Sequence, residues 1–321
     1  MNSNSSNSKF QNLQGINFGN ILDAPNEGDW GKILQEQFFD LVKNAGFNLV
    51  RIPIRWSNHA DINSPYTINP SFFERIDWVI QNSLSRGLIT IINIHHYSEI
   101  MISPQTHKKR FFSLWEQISA RYQNYPDNLF FEILNEPFNE FDKNPYLWNH
   151  FINDINLVIR RINPKRKLIY GPVFHNNLRH LNMLEVPKND PNIIITFHFY
   201  DPFEFSHQGA NWVQNSDQWI GTIWQATTQE KLAINIALDH AVDWAKKNNI
   251  QLFLGEFGAI SKADYNSRVR WTKNIRVEAE KRDIGWAYWN FCEDLFGIYN
   301  SKTKLWDRNL LKALLPNSPL I

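Results

Sequence analysis

Cysteine is nearly absent. Cys292 is the one thiol in 321 residues, so no disulfide can form within the chain and no structural zinc site can be built on thiolates. Net charge is nearly absent too: 33 basic and 32 acidic side chains leave +1. A balance of that kind gives no clustered basic face, and a nucleic-acid partner is excluded. The one basic run, His107-Lys108-Lys109-Arg110, is short and is expected as the solvated start of a helix. No apolar run reaches the ~20 residues that cross a bilayer, so no membrane partner is expected. The Ser- and Asn-rich start lacks the apolar core of a signal peptide. Residues 1–12 are expected to be a flexible tail and 13–321 one catalytic domain. The compartment stays conditional: cytoplasmic if Met1 is native, secreted if a leader was trimmed. A monomer is expected.

Aromatic residues are plentiful, at 14% with 13 Trp. A large core accounts for part of them. Trp30, Trp212, Trp219 and Trp224 fall in expected loops, where core packing explains less. Flat aromatic faces stack on sugar rings, so the composition leans toward a saccharide partner. Along the chain, strand and helix patterns alternate. Strands are expected over 14–18, 48–54, 88–94, 129–135, 167–171, 193–199, 251–256 and 284–289. Helices are expected over 33–45, 71–86, 110–124, 145–162, 229–248, 264–282 and 307–315, with apolar residues at three- and four-residue steps. Gly46, Gly87 and Asn163-Pro164 punctuate helix ends. Eight strands with mostly helical connections give an α/β fold, a single (β/α)8 barrel. A doubly wound sheet would carry a Gly-rich phosphate loop after its first strand, and the glycines at 15 and 19 lack that spacing. The long connection over about 201–228 is expected to be functional.

Active sites of such barrels lie at the C-terminal ends of the strands. Two short apolar runs end there in a glutamate: Glu136 after Phe131-Glu132-Ile133-Leu134-Asn135, and Glu256 after Phe253-Leu254-Gly255. A carboxylate in such a place is costly unless it has a partner or a task. Two carboxylates in one cleft are what glycosidic-bond hydrolysis requires. Other polar residues expected on the same rim are Arg51, His95, His96, Asn135, His198, Tyr200 and Trp289. Glu132 shares the parity of Glu136 but lies deeper, which marks it as structural. No metal or other cofactor is expected. His95 and His96 are adjacent, so alternation sends them to opposite faces of a strand, and acidic residues are not at ligand spacing from them. A serine nucleophile has no Gly-x-Ser-x-Gly elbow to sit on.

Taken together these segments resemble glycoside hydrolase family 5, the cellulase family of retaining β-glycanases. Phe131–Pro137 is similar to the signature around that family's acid/base, and Phe253–Gly258 to the segment bearing its nucleophile. Val50-Arg51-Ile52-Pro53, Asn93–Tyr97, His198-Phe199-Tyr200 and Trp286–Trp289 resemble its other rim segments. The likeness runs from about residue 13 to 315. It implies Glu136 as general acid/base and Glu256 as nucleophile, which the residues alone leave open. Arg51 and Tyr200 would then keep Glu256 ionised, while Glu136 must hold a proton. Asn135 is placed to bond the sugar 2-hydroxyl. His95, His96 and His207 would bond other hydroxyls, His198 would orient the acid/base, and Trp289 would stack under the ring being cleaved. Segments 17–30, including Asn20, and 202–210, including His207, resemble a subgroup of bacterial endoglucanases of which some also cleave mannans. The expected substrate is a β-1,4-linked glucan cut internally. Mannan as the main substrate and transglycosylation through the same intermediate are the alternatives. A binding-only barrel would be marked by loss of a carboxylate, and both are present.

Overall fold

The computed structural model describes residues 13–292 and 295–321. The tail expected over 1–12 lies outside them. Eight parallel strands close into a barrel in sequential order. They are β1 (Gln14–Asn17), β2 (Leu49–Ile52), β3 (Ile89–Asn93), β4 (Leu129–Glu132), β5 (Leu168–Tyr170), β6 (Ile193–Phe199), β7 (Gln251–Phe257) and β8 (Gly285–Tyr288). Each barrel strand is buried along its whole length or in all but its first residue, as expected of a parallel sheet covered by helices. The β1–β8 pair that closes the sheet sets Gly15 opposite Ala287. A Cβ at Gly15 would come within 2.3 Å of the Leu49 side chain and 3.1 Å of the Trp286 carbonyl, so a larger residue there would have to displace Leu49.

The long helices among the described residues are α1 (Glu36–Ala45), α2 (Pro70–Ser85), α3 (Pro104–Arg121), α4 (Pro145–Ile162), α5 (Thr228–Asn248) and α6 (Tyr265–Glu280), followed by the shorter α7 (Arg308–Leu314). Their starts are written in the sequence. Proline stands at N1 of α2, α3 and α4, where its missing N–H has no helical partner to lose. Thr227 and Glu230 form a reciprocal capping box on α5. Gly46 ends α1 at φ +105°, a conformation that other residues rarely adopt.

The chain packs as two compact units. Among the described residues, one holds 13–19, 40–51, 197–292 and 295–321; the other holds Asn20–Phe39 and Ile52–Thr196. In the first, Trp271, Trp286, Phe257 and Tyr288 are buried together. In the second, Trp56, Trp115 and Trp148 are fully buried. Each of these three indoles donates to a carbonyl, of Asn93, Ile133 and Gly171, so the polar edge of the ring is satisfied inside.

Three expectations change here. Trp224 is 1% exposed: the loop before α5 folds it inward, where its carbonyl accepts from Arg270 of α6. Trp30 and Trp212 remain exposed. Arg110 is not solvated. It is buried and donates to the carbonyls of Ser57, Ala60 and Asp61. The strand expected over 129–135 ends at Glu132, and Glu136 sits beyond the ladder at φ 47°.

Candidate active site

The Glu256 cluster is built from four strands of the first unit. Asn17 ends β1, Arg51 lies in β2, His198 in β6, and Glu256 in β7, with Tyr200 just beyond β6. Arg51 Nη1 donates to Glu256 Oε1 at 2.7 Å and to Asn17 Oδ1 at 2.8 Å. Asn17 is held in turn by donating Nδ2 to the carbonyls of Gly255 and Tyr288. The Tyr200 hydroxyl donates to Glu256 Oε2 at 2.9 Å. His198 Nδ1 lies 3.6 Å from the same oxygen. The Arg51 and Glu256 side chains are 0% and 6% exposed. Both carboxylate oxygens receive donors and a full positive charge is adjacent, so the ionised form is favoured despite burial.

His207 and Trp289 belong to the same unit. His207 is buried and its Nδ1 shares a proton position with Ser206 Oγ at 2.8 Å. Its ring stacks on Phe203 at 4.1 Å and meets the Tyr200 ring edge-on at 4.9 Å. Trp289 is half-buried, and its indole lies against Gly19: a Cβ there would come within 2.4 Å of the ring. Gly19→Ala is therefore expected to tilt the indole without touching a carboxylate. If Trp289 orients a sugar ring, kcat/KM should fall about tenfold or more while the melting curve holds; unchanged turnover would return Trp289 to the core. Trp289→Ala should show the larger loss of the two.

Glu136 stands in the second unit. Asn135 beside it is buried and its N–H donates to the Ile94 carbonyl. His175 Nδ1 lies 3.6 Å from Glu136 Oε2, and its ring stacks on Phe138 at 4.6 Å. Three consecutive left-handed residues, Phe174, His175 and Asn176, put it there. Such a run is strained for residues with a Cβ and is held by Asp142, which accepts from the Phe174 N–H. Burial pushes the His175 pKa down, but the Glu136 carboxylate, with help from Asp142, raises it overall. By reciprocity the imidazolium favours ionised Glu136. His175→Gln should therefore let Glu136 keep its proton to higher pH. The basic limb of kcat/KM should move to higher pH, modestly because the pair is part-exposed and screened.

His95 and His96 sit side by side, with ring centroids 4.6 Å apart. This overturns the alternation argument: β3 ends at Asn93, and beyond the ladder no rule sends neighbours to opposite faces. Nor are acidic residues remote. Asp23 Oδ2 is 3.8 Å from His96 Nε2, and Asp23, His95 and His96 each offer an atom within 4.8 Å of the other two. Burial, then the Arg55 guanidinium, hold the His96 pKa down to about 4 against a weaker upward pull from Glu136. Arg55 also lies over the exposed Trp30 ring at 5.4 Å, and His96 meets that ring edge-on at 6.0 Å. Asn20 opens the same loop, half-buried and left-handed at φ 61°.

Sequence reasoning passed over Asn17, Asp23, Asn93 and His175. Asn17 and Asn93 end strands, and the strand-end rule applied to every strand would have found both. Asp23 and His175 lie on loops whose course only the fold sets.

The chain matches the model of the family described as Cellulase (glycosyl hydrolase family 5) over residues 3–294, and it belongs to that family. Among curated relatives, Endoglucanase H of Acetivibrio thermocellus is 38% identical over 94% of this chain and 32% of its own length. Cellulase/esterase CelE of the same organism is 30% identical over 91% of this chain and 38% of its own length. The chain thus spans about a third of these first curated relatives. Among solved structures, Cel5A of Thermotoga maritima in complex with mannotriose is 46% identical with a TM-score of 0.93, covering 97% of this chain and 100% of that one. The cellobiose complex of that enzyme is 46% identical with a TM-score of 0.92, over 95% and 99% of the two chains.

Proposed function

We propose that the chain is a retaining endo-β-1,4-glucanase that also accepts mannan-containing chains, with residues 13–321 as its catalytic domain. The observation that carries it is the Arg51–Glu256–Tyr200 network, which holds a carboxylate ionised, buried and desolvated at a strand end. In this reading Glu256 attacks the anomeric carbon while Glu136 protonates the departing oxygen. Glu136 then deprotonates the water that opens the glycosyl-enzyme. That division of labour requires the two carboxyl groups to stand about 5–5.5 Å apart in the working enzyme. Asn135 would bond the 2-hydroxyl, His95, His96 and His207 other hydroxyls, and Trp289 the face of the ring. His198, with Nδ1 3.6 Å from Glu256 Oε2, would steady the nucleophile.

Glucose and mannose units differ in the 2-hydroxyl alone, equatorial in one and axial in the other. Cel5A of Thermotoga maritima has been solved with both cellobiose and mannotriose, which supports tolerance at that position here. Discrimination by one hydroxyl is large only where a buried partner is left unpaired, and bridging water softens it. Carboxymethyl cellulose and mixed-linkage β-glucan should be hydrolysed fastest, glucomannan and mannan more slowly. Viscosity should drop before reducing ends accumulate, and the first product observed by NMR should be the β-anomer. Cleavage of mannan but of no glucan would reverse the ranking; a first-formed α-anomer would remove the retaining mechanism.

A further inference from the structure

Glu132 and Asn93 are buried polar residues that the reaction above does not use. Both are 0% exposed. Asn93 Oδ1 accepts from the Ile54 N–H at 3.2 Å. Its Nδ2 then faces Glu132 Oε1 at 3.5 Å and His95 Nδ1 at 3.1 Å. The backbone of Asn93 is pinned as well, since its carbonyl accepts from Trp56 Nε1. The amide has one sensible orientation. Turned over, it would set its NH2 against the Ile54 N–H and its oxygen against the Glu132 carboxylate. With the amide fixed, His95 Nδ1 faces a donor and must accept, and the proton of the neutral ring belongs on Nε2.

From this chain we infer that Glu132 and Asn93 are positioning residues that lock His95 as a permanent Nε2–H donor. The inference rests on the glycanase reading for its purpose, since a locked donor gives a substrate hydroxyl one role, that of acceptor. His95 and His96 then differ in kind. His95 is buried, with its tautomer set from below. His96 is part-exposed, with Asp23 Oδ2 3.8 Å from its Nε2. Asn93 lies at Nδ1 of His95 and meets Glu132 in turn, while His96 and Asp23 each offer an atom within 4.8 Å of His95. The charges of Arg55 and Glu136 reach that pair through His96. A second consequence concerns the Asp23–His95–His96 trio, which has the residue types of a metal site. A ring whose Nδ1 accepts from Asn93 and whose Nε2 carries hydrogen has no lone pair left for an ion.

The test begins with the wild-type chain labelled with 15N-histidine. Long-range proton–nitrogen spectra should show His95 with an unprotonated Nδ1 and a protonated Nε2 throughout the active pH range; His95→Gln identifies the signal by its loss. An Nδ1–H tautomer, or an imidazolium at neutral pH, overturns the proposal. Adding zinc should leave the His95 signals in place, and their shift to a bound form would overturn it equally. Asn93→Asp supplies the kinetic arm. A carboxylate under Nδ1 raises the pKa of the ring, so Nε2–H persists while the ring is charged and is lost once it deprotonates to the Nδ1–H form. The variant should therefore lose about tenfold in kcat/KM above neutral pH beyond the fall that the Glu136 limb gives the wild type. A parallel profile in both proteins counts against the lock. If the variant does not fold, the wild-type spectrum decides alone. A wild-type chain that cleaves no β-glycan would refute the glycanase reading and leave the tautomer to the spectrum.

Discussion

Glu256→Ala is expected to lower kcat on glucans and aryl β-glycosides by about 10⁵-fold while the protein stays folded. The variant keeps Arg51, Asn17 and Tyr200, and so presents a positively charged hollow where the carboxylate oxygens were. Azide fits that hollow and attacks from the same side, so rescue on an activated substrate should give the α-glycosyl azide. Glu136→Ala should behave otherwise. A good leaving group departs without an acid, the glycosyl-enzyme forms on Glu256, and azide then displaces it to give the β-product. Losses on unactivated glucans should reach about 10²–10⁴-fold, the usual worth of a positioned acid/base. The two azide stereochemistries assign the roles independently of any rate. If they came out reversed, nucleophile and acid/base would have to be exchanged; if neither variant were rescued, the double displacement would lose its support.

Arg51→Met should have the second largest effect. The side chain is 0% exposed and its Nη1 serves Glu256 and Asn17 together. Methionine fills the volume but leaves a carboxylate that is 6% exposed without its cation. Stripping one partner from a buried pair costs about 3–5 kcal/mol when the remaining charge has no escape. Glu256 has one, which is to take up a proton, and the stability loss should be smaller than that range. The price appears in catalysis, because a protonated nucleophile is idle. kcat should fall about 10²–10³-fold, with the acid limb of the pH profile moved upward. The sign of the stability effect follows from the same pair. A carboxylate favoured as an ion in the fold stabilises above the unfolded value of about 4.3 and loses that contribution as pH falls. The gap in melting temperature between wild type and variant should be widest near neutral pH and narrow in acid. Arg51→Lys keeps the charge but not the fork, and should recover part of the rate. A variant with wild-type kcat and an unmoved acid limb would show that the Tyr200 hydroxyl suffices for the nucleophile.

Chelation gives a smaller but clean expectation. Two carboxylates suffice for double displacement, and so exhaustive chelation should leave the initial rate unchanged. A loss restored by zinc or manganese would contradict both this and the His95 assignment.

The order of the strands, the closed parallel barrel and the places of Arg51 in β2 and Glu256 in β7 were legible in the sequence. The reason is physical. A strand buried on both faces must be an uninterrupted apolar run, so a charged or hydroxylated residue at its end stands out against everything before it. Glycine and proline mark the helix ends for equally local reasons, as at Gly46 and Pro70.

Tertiary structure decided what happens once the ladder stops. The alternation rule separated His95 from His96, yet it holds only while the backbone is extended and paired, and β3 ends at Asn93. The same rule carried β4 to residue 135, whereas the strand ends at Glu132 and Glu136 takes a left-handed φ. His175 reaches Glu136 through three left-handed residues that no periodicity encodes. Trp224 and Arg110 were assigned to loop and solvent by their neighbours in sequence, and the fold buried both. Local pattern fixes a residue's side of a strand or helix. Which partner meets it past the end of that element depends on the path of loops whose conformations are held by contacts far apart in the chain, such as the Phe174 N–H on Asp142 and the Ile54 N–H on Asn93.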